Sequence, residues 1–124
     1  MKRIFLGLAA LGLFAVPAQA APGDMSVATF LGKAEALKAK GMAAMFSSDV
    51  KVLMNEGKAA AAVYRARLEG ERKAGKPSSC PPPKASVSSN EMLAHLASYP
   101  AATRPGIPMH RAMGDFFARK FPCR

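Results

Sequence analysis

The chain has 124 residues, no tryptophan, two cysteines, two histidines and a formal net charge of +10 at pH 7. This length is enough for one domain and too short for two. The basic charge favours an acidic partner, such as a protein surface, an anionic cell-wall polymer or lipid headgroups. Because the basic residues are scattered and are not grouped with aromatic residues, we do not expect a nucleic-acid partner.

Residues 1–20 have the pattern of a secretory signal peptide. Lys2 and Arg3 precede an uncharged apolar run over residues 4–16, and Ala18-Gln19-Ala20 provides a small-residue cleavage site. The apolar run is too short to cross a bilayer of about 30 Å as a helix. We therefore expect cleavage after Ala20, a periplasmic location and no membrane association afterwards. The mature chain, residues 21–124, would be one helical domain with a net charge of +8.

The first half of the mature chain predicts two helices. Ser26 can cap the first helix and Gly41 can end it. Its apolar residues recur at helical spacing, namely Val27, Phe30, Leu31, Ala34 and Leu37. The second helix should run from Asp49 to about Lys73, a stretch without proline. Val52, Ala59, Val63 and Ala66 share the predicted apolar face of this helix, and Leu53, Ala60 and Tyr64 lie beside that face.

Two shorter helices are predicted after a proline-rich loop at residues 75–84. Ser88 and Glu91 form a capping box at the start of the third helix, and Pro100 ends it. Pro108 suits the first turn of the fourth helix. The clearest apolar stripe of the sequence follows, made of Met109, Ala112, Met113, Phe116 and Phe117. No alternating strand pattern is present, so we predict an all-α fold of four helices.

Cys80 and Cys123, the only cysteines, are each followed or preceded by proline. In an exported protein such a pair predicts a disulfide, which would connect the loop after helix two to the end of helix four. In the chain-entropy model, this bridge is worth roughly 4 kcal/mol. The alternative, two reduced thiols that hold a metal, lacks nearby partner ligands and requires a reducing compartment.

The side chains offer little for catalysis or metal binding. Ser79, His95 and Asp115 could be combined into a nucleophilic set, but no nucleophile elbow supports it. We interpret His95 as a packed histidine and His110 as an exposed one. A copper site is the other candidate, with ligands from Met42, Met45, Met109, His110 and Met113. Methionine commonly fills helical cores, so we expect no metal site. Since the nucleophilic set is also unsupported, we expect neither an enzyme nor a cofactor.

The cysteines and prolines of the C-terminal part form a recognisable frame. It starts with Cys80-Pro81-Pro82, has a break at Tyr99-Pro100 and ends with Phe121-Pro122-Cys123. This frame resembles the Rap/Tai family. These are small exported immunity proteins of type VI secretion systems. The resemblance covers about residues 26 to 123. It implies a helical, disulfide-tied periplasmic protein that binds and blocks a peptidoglycan amidase delivered by a neighbouring cell. It also implies that the protein forms a homodimer.

Inhibition by occlusion requires surface and no chemistry by this chain. Loops stiffened by proline and a disulfide lose little entropy on docking, so they are the candidate contact regions. The candidate interface residues are Pro82, Lys84, Tyr99, Arg104 and Ile107. Two alternatives stay open: a periplasmic stress or chaperone-like helical protein, and a basic module that binds anionic envelope polymer.

Overall fold

The computed structural model describes residues 21–124, so the predicted signal peptide lies outside the described residues. Within that range the chain forms four α-helices and no strand, which confirms the all-α prediction. The helices are α1 (Val27–Lys40), α2 (Ser48–Lys73), α3 (Ser89–Ser98) and α4 (Met109–Lys120). Two short 3-10 helices, Gly41–Phe46 and Arg104–Gly106, follow α1 and precede α4. From residue 21 onward, no helix is both long enough and apolar enough to cross a membrane.

The helix ends follow the capping chemistry of the sequence. The Ser26 hydroxyl accepts a hydrogen bond from the Thr29 amide at 3.1 Å, which starts α1. Gly41 ends α1 with a φ of +57°, a left-handed conformation that favours glycine. At α3, both hydrogen bonds of the predicted capping box between Ser88 and Glu91 are present.

The buried face of α2 is rotated away from the predicted one. Glu56, Ala60, Tyr64 and Leu68 are buried at four-residue spacing. Val52, Val63 and Ala66 of the predicted face are exposed, so that part of the prediction is wrong, whereas Ala60 and Tyr64 beside it are buried. The large ring of Tyr64 stacks on Phe117 of α4, with 4.8 Å between the ring centroids, and this contact orients α2. Glu56 is buried with a partner, since it accepts a hydrogen bond from the Met25 amide at 2.8 Å.

The start of α4 is joined to the start of α1, and its end is joined to the loop after α2. The Val27 amide donates to the Ile107 carbonyl, and the Met109 amide donates to the Met25 carbonyl, both at 2.8 Å. At the other end, Cys80 and Cys123 form the predicted disulfide. The Cys80 amide also donates to the Phe121 carbonyl at 2.8 Å. These contacts hold α4 in the centre of the domain.

Candidate protein-binding site

An open groove of about 400 Å³ on the surface of the domain is lined mostly by apolar side chains. All four helices and the loop before α3 contribute to it. The polar residues that line it are Ser88 and Ser89. The apolar lining consists of Phe30, Ala34, Leu53, Met54, Ala61, Val87, Met92, Leu93, Met113 and Phe117, together with Gly57.

Part of the groove lies beside small residues of α2. Gly57 and Ala61 both line it. A Cβ atom built on Gly57 would meet no other heavy atom within 4 Å. The space beside α2 is therefore accessible at this position.

A second apolar surface is the 3-10 helix Gly41–Phe46, which we call the apolar turn. The side chains of Met42, Met45 and Phe46 are 80%, 73% and 93% exposed. Single exposed apolar residues are ordinary, but several adjacent ones mark interaction surfaces. This surface could not be predicted from the sequence, since an exposed turn and a buried helical turn have the same apolar pattern.

The interface residues predicted from the loops fall into two groups. Pro82 and Lys84 are exposed. Tyr99 and Arg104 are half-buried, and Ile107 belongs to the hydrophobic core with 8% exposure. A partner could therefore reach the first pair, whereas Ile107 offers it almost no surface.

Arg104 serves the fold directly. Its guanidinium donates to the Tyr99 carbonyl at 2.9 Å through Nε and to the Ala97 carbonyl at 2.8 Å through Nη2. Both acceptors lie at the end of α3, where helix carbonyls lack partners within the helix. Arg104 therefore caps α3, a role that its position in a stiff loop did not indicate.

His95 is part of a polar chain between α3 and α4. Its Nε2 lies 3.0 Å from the Ala112 carbonyl oxygen and 3.1 Å from the Tyr99 hydroxyl. Because a carbonyl only accepts, Nε2 carries the hydrogen. The Tyr99 hydroxyl donates to Asp115 Oδ2 at 2.6 Å. Burial and the Asp115 carboxylate raise the pKa of Tyr99 well above its ordinary value.

The other ring nitrogen of His95, Nδ1, is buried and has no hydrogen-bond partner among residues 21–124. A proton there would place a positive charge in an apolar setting without an acceptor. Burial accordingly lowers the pKa of His95. Phe116 packs edge-on against the same ring, at 5.5 Å between centroids. His95 is thus held as a neutral, packed side chain.

The nucleophilic set weighed from the sequence is not assembled. The Ser79 hydroxyl is hydrogen-bonded to Tyr64 and is fully buried. His95 and Asp115 are connected through Tyr99 instead. Each of the three side chains therefore has a partner that stabilises the fold.

The methionines weighed as copper ligands are divided between core and surface. Met109 and Met113 are buried in the core cluster, whereas Met42 and Met45 stand in the exposed apolar turn. In the described part of the chain, no group of three or more His, Cys, Asp or Glu side chains is placed to hold a metal ion. The His110 ring lies 3.3 Å from an Asp24 carboxylate oxygen and is partly exposed.

Comparison of the chain with protein-family models, with curated proteins and with solved structures gave no match. The fold and the surfaces define the class at a coarser level. The chain is a small, disulfide-tied helical domain with an exposed apolar turn and an open apolar groove.

Proposed function

We propose that this protein is a non-enzymatic, immunity-type inhibitor that binds a peptidoglycan amidase in the periplasm and occludes its catalytic groove. The observation that carries the proposal is the exposure of Met42, Met45 and Phe46 in one turn. Apolar side chains that lie outside the core and close together are typical of surfaces that bind another protein. The Cys-Pro and Phe-Pro-Cys frame supplies the partner class through its resemblance to the Rap/Tai family.

Two further properties favour tight binding to an acidic protein. The disulfide and the hydrogen bond between Cys80 and Phe121 hold the loop after α2 against the end of α4. A surface fixed in this way loses little conformational entropy when it docks. The net charge of +8 over residues 21–124 would speed the approach of an acidic partner.

Retention of amidases on the immobilised protein tests the proposal. Wild type should retain one peptidoglycan amidase of a panel in a stoichiometric complex, and its expression should protect cells that carry that enzyme in the periplasm. Phe46→Asp should weaken retention at least tenfold and leave the thermal midpoint unchanged, because the ring is outside the core. Ala102→Asp, in the exposed turn after α3, is the matched control and should bind like wild type.

The two variants distinguish the apolar turn from the loop between α3 and α4 as the contact surface. Loss of binding in Ala102→Asp alone would assign the contact to that loop, which is one of the two loop regions predicted from the sequence. If wild type retains no amidase of the panel and protects against none, the immunity proposal is rejected.

The exposed apolar turn also favours a second candidate, a chaperone-like protein that holds unfolded chains. This function needs apolar surface and no single partner. A light-scattering assay with reduced insulin as the aggregating client would detect it. Suppression by wild type but not by Phe46→Asp, together with no amidase retained, would replace the first proposal with this one.

A further inference from the structure

We propose that the apolar groove is the seat for an amphipathic helix of a partner protein, with acidic side chains at seven-residue spacing beside its apolar face. The identity of the biological partner rests on the proposed function. The present proposal adds which part of that partner the groove would bind, namely a helix. Helix-in-groove docking is a common mode of recognition between proteins.

A row of basic residues follows the edge of the groove along α2. Lys51, Lys58, Arg65 and Arg72 are spaced by seven residues and are all exposed. Met54 and Ala61, which line the groove, alternate with the first three of these at i+3 and i+4. Side chains at these spacings are neighbours on a helix surface. Lys51, Lys58 and Arg65 therefore border the groove, and Arg72 continues the row beyond it. The whole row extends for about 31 Å along the helix axis.

The row is not neutralised by ion pairs within residues 21–124. The ion pairs in that range use other basic groups. Asp49 is paired with Lys33 at 3.6 Å, and Glu91 is paired with Lys120 at 2.9 Å. Glu69 is the acidic residue next to the row, between Arg65 and Arg72. From Lys51 to Arg65 the row is purely basic, so it complements an acidic partner.

Between Met54 and Ala61, the α2 residues beside the row have the pattern of a short helix-pairing seam. Met54, Gly57 and Ala61 occupy the a, d and a positions of a heptad, and the basic row occupies the e position. In paired helices, a and d residues pack together while e and g charges form bridges to the partner. The empty space at Gly57 lets a second helix approach closely.

The spacing of the charges selects a helix over a lipid as the occupant. Successive basic residues are about 10.5 Å apart along the axis. One lipid headgroup cannot contact charges distributed over that distance, whereas a helix laid along α2 meets each of them with an acidic residue in every seventh position. The open shape of the groove also suits a partner that lies across it.

Model peptides test this seat without any amidase. The probe is a labelled helical peptide of about three heptads, with leucine at a and d and glutamate at e and g. Its twin carries lysine at e and g. In fluorescence anisotropy at low salt, the glutamate peptide should bind wild type at least tenfold more tightly than the lysine peptide. Lys58→Glu combined with Arg65→Glu should abolish or reverse this preference.

Gly57→Leu is the variant that blocks the seat and keeps the fold. A Cβ atom at this position meets no other heavy atom within 4 Å, and leucine has a higher helix propensity than glycine, so the protein should be at least as stable as wild type. Binding of the glutamate peptide should fall at least tenfold. Gly70→Leu, on an exposed part of the same helix with equally free space, is the matched control and should bind like wild type.

Three results would overturn the seat: equal binding of the two peptides, no binding of either, or undiminished binding by Gly57→Leu. Binding of dodecanoate that Gly57→Leu abolishes, with neither peptide bound, would identify a lipid site instead. Glutamate-peptide binding without any retained amidase supports the seat and rejects the immunity proposal. If wild type retains an amidase but binds neither peptide, the immunity proposal is supported and the helix-binding groove is rejected.

Discussion

The hydroxyl of Tyr64, in the middle of α2, is hydrogen-bonded to the hydroxyl of Ser79, which is fully buried one residue before Cys80. The same tyrosine ring stacks on Phe117 of α4. One side chain therefore connects α2 with both segments that the disulfide links. The covalent bond and the buried hydrogen bond stabilise the same junction.

Tyr64→Phe should lower the free energy of unfolding by about 1–3 kcal/mol, because it leaves the buried Ser79 hydroxyl without its partner. The phenyl ring keeps the stacking on Phe117. Adding Ser79→Ala to this variant should restore part of the loss, since neither polar atom then remains unpaired. Urea unfolding of the two single variants and the double variant measures the coupling. Strictly additive losses would contradict a direct interaction.

Replacing Cys80 and Cys123 together by serine should lower stability by about 2–5 kcal/mol. The disulfide restricts the unfolded chain, so its removal favours unfolding even if the folded contacts persist. Thiol labelling of the denatured, unreduced wild type checks the bond itself and should find no free cysteine. Stoichiometric labelling would mean that the cysteines are reduced.

Phe116→Ala and Phe117→Ala should differ in their effect on stability, although both residues belong to the same apolar stripe of the sequence. Phe116 is buried in the core, so its truncation should cost about 3–5 kcal/mol. Phe117 is half-buried and lines the groove. Phe117→Ala should therefore lower the free energy of unfolding less than Phe116→Ala does, by a difference of about 1 kcal/mol or more. Chemical denaturation of both variants tests the order. A reversed order would mean that the burial of the two rings is misassigned.

Stability should fall as the pH drops below about 6.5, the ordinary pKa of histidine. His95 has a lowered pKa in the folded protein, so below that pH the unfolded chain binds the proton first. Its contribution to stability is complete above the unfolded pKa and is lost as the pH falls toward the folded pKa. His95→Gln should remove this part of the slope in unfolding curves between pH 7 and 5. An identical slope in both proteins would exclude His95 as its source.

Arg104→Glu should lower stability by about 1–2 kcal/mol, the lower part of the range for hydrogen bonds from a charged group, because the side chain is partly exposed. The variant loses both bonds to the end of α3. Thermal unfolding measures the change, and Lys84→Glu, at an exposed loop position, should be neutral. Weaker amidase binding by Arg104→Glu would count as a contact only if the fold is intact. An unchanged midpoint would contradict the capping role.

The resemblance to the Rap/Tai family, periplasmic export and amidase binding remain predictions from the sequence. The seven-residue spacing of the basic residues can also be read from the sequence. That these residues border a groove cannot, since spacing alone does not say which side of α2 stays open. Ile107 shows the same difficulty: a residue between two prolines predicts a surface loop, and the folded chain buries it between α1 and α4.

The sequence by itself determined the features that depend on residues close together in the chain, and the pairing of the only two cysteines. Ser26, Gly41 and the Ser88–Glu91 box place helix ends because capping bonds form within one turn. Two cysteines allow only one pairing within the chain, so the partners of the disulfide could be predicted once export was assumed. Tertiary structure decided the rotation of α2, since alanines on several faces give a weak preference and the stacking of Tyr64 on Phe117 is a contact between distant parts of the chain. The groove has the same origin, because a space between helices exists only once their packing is fixed.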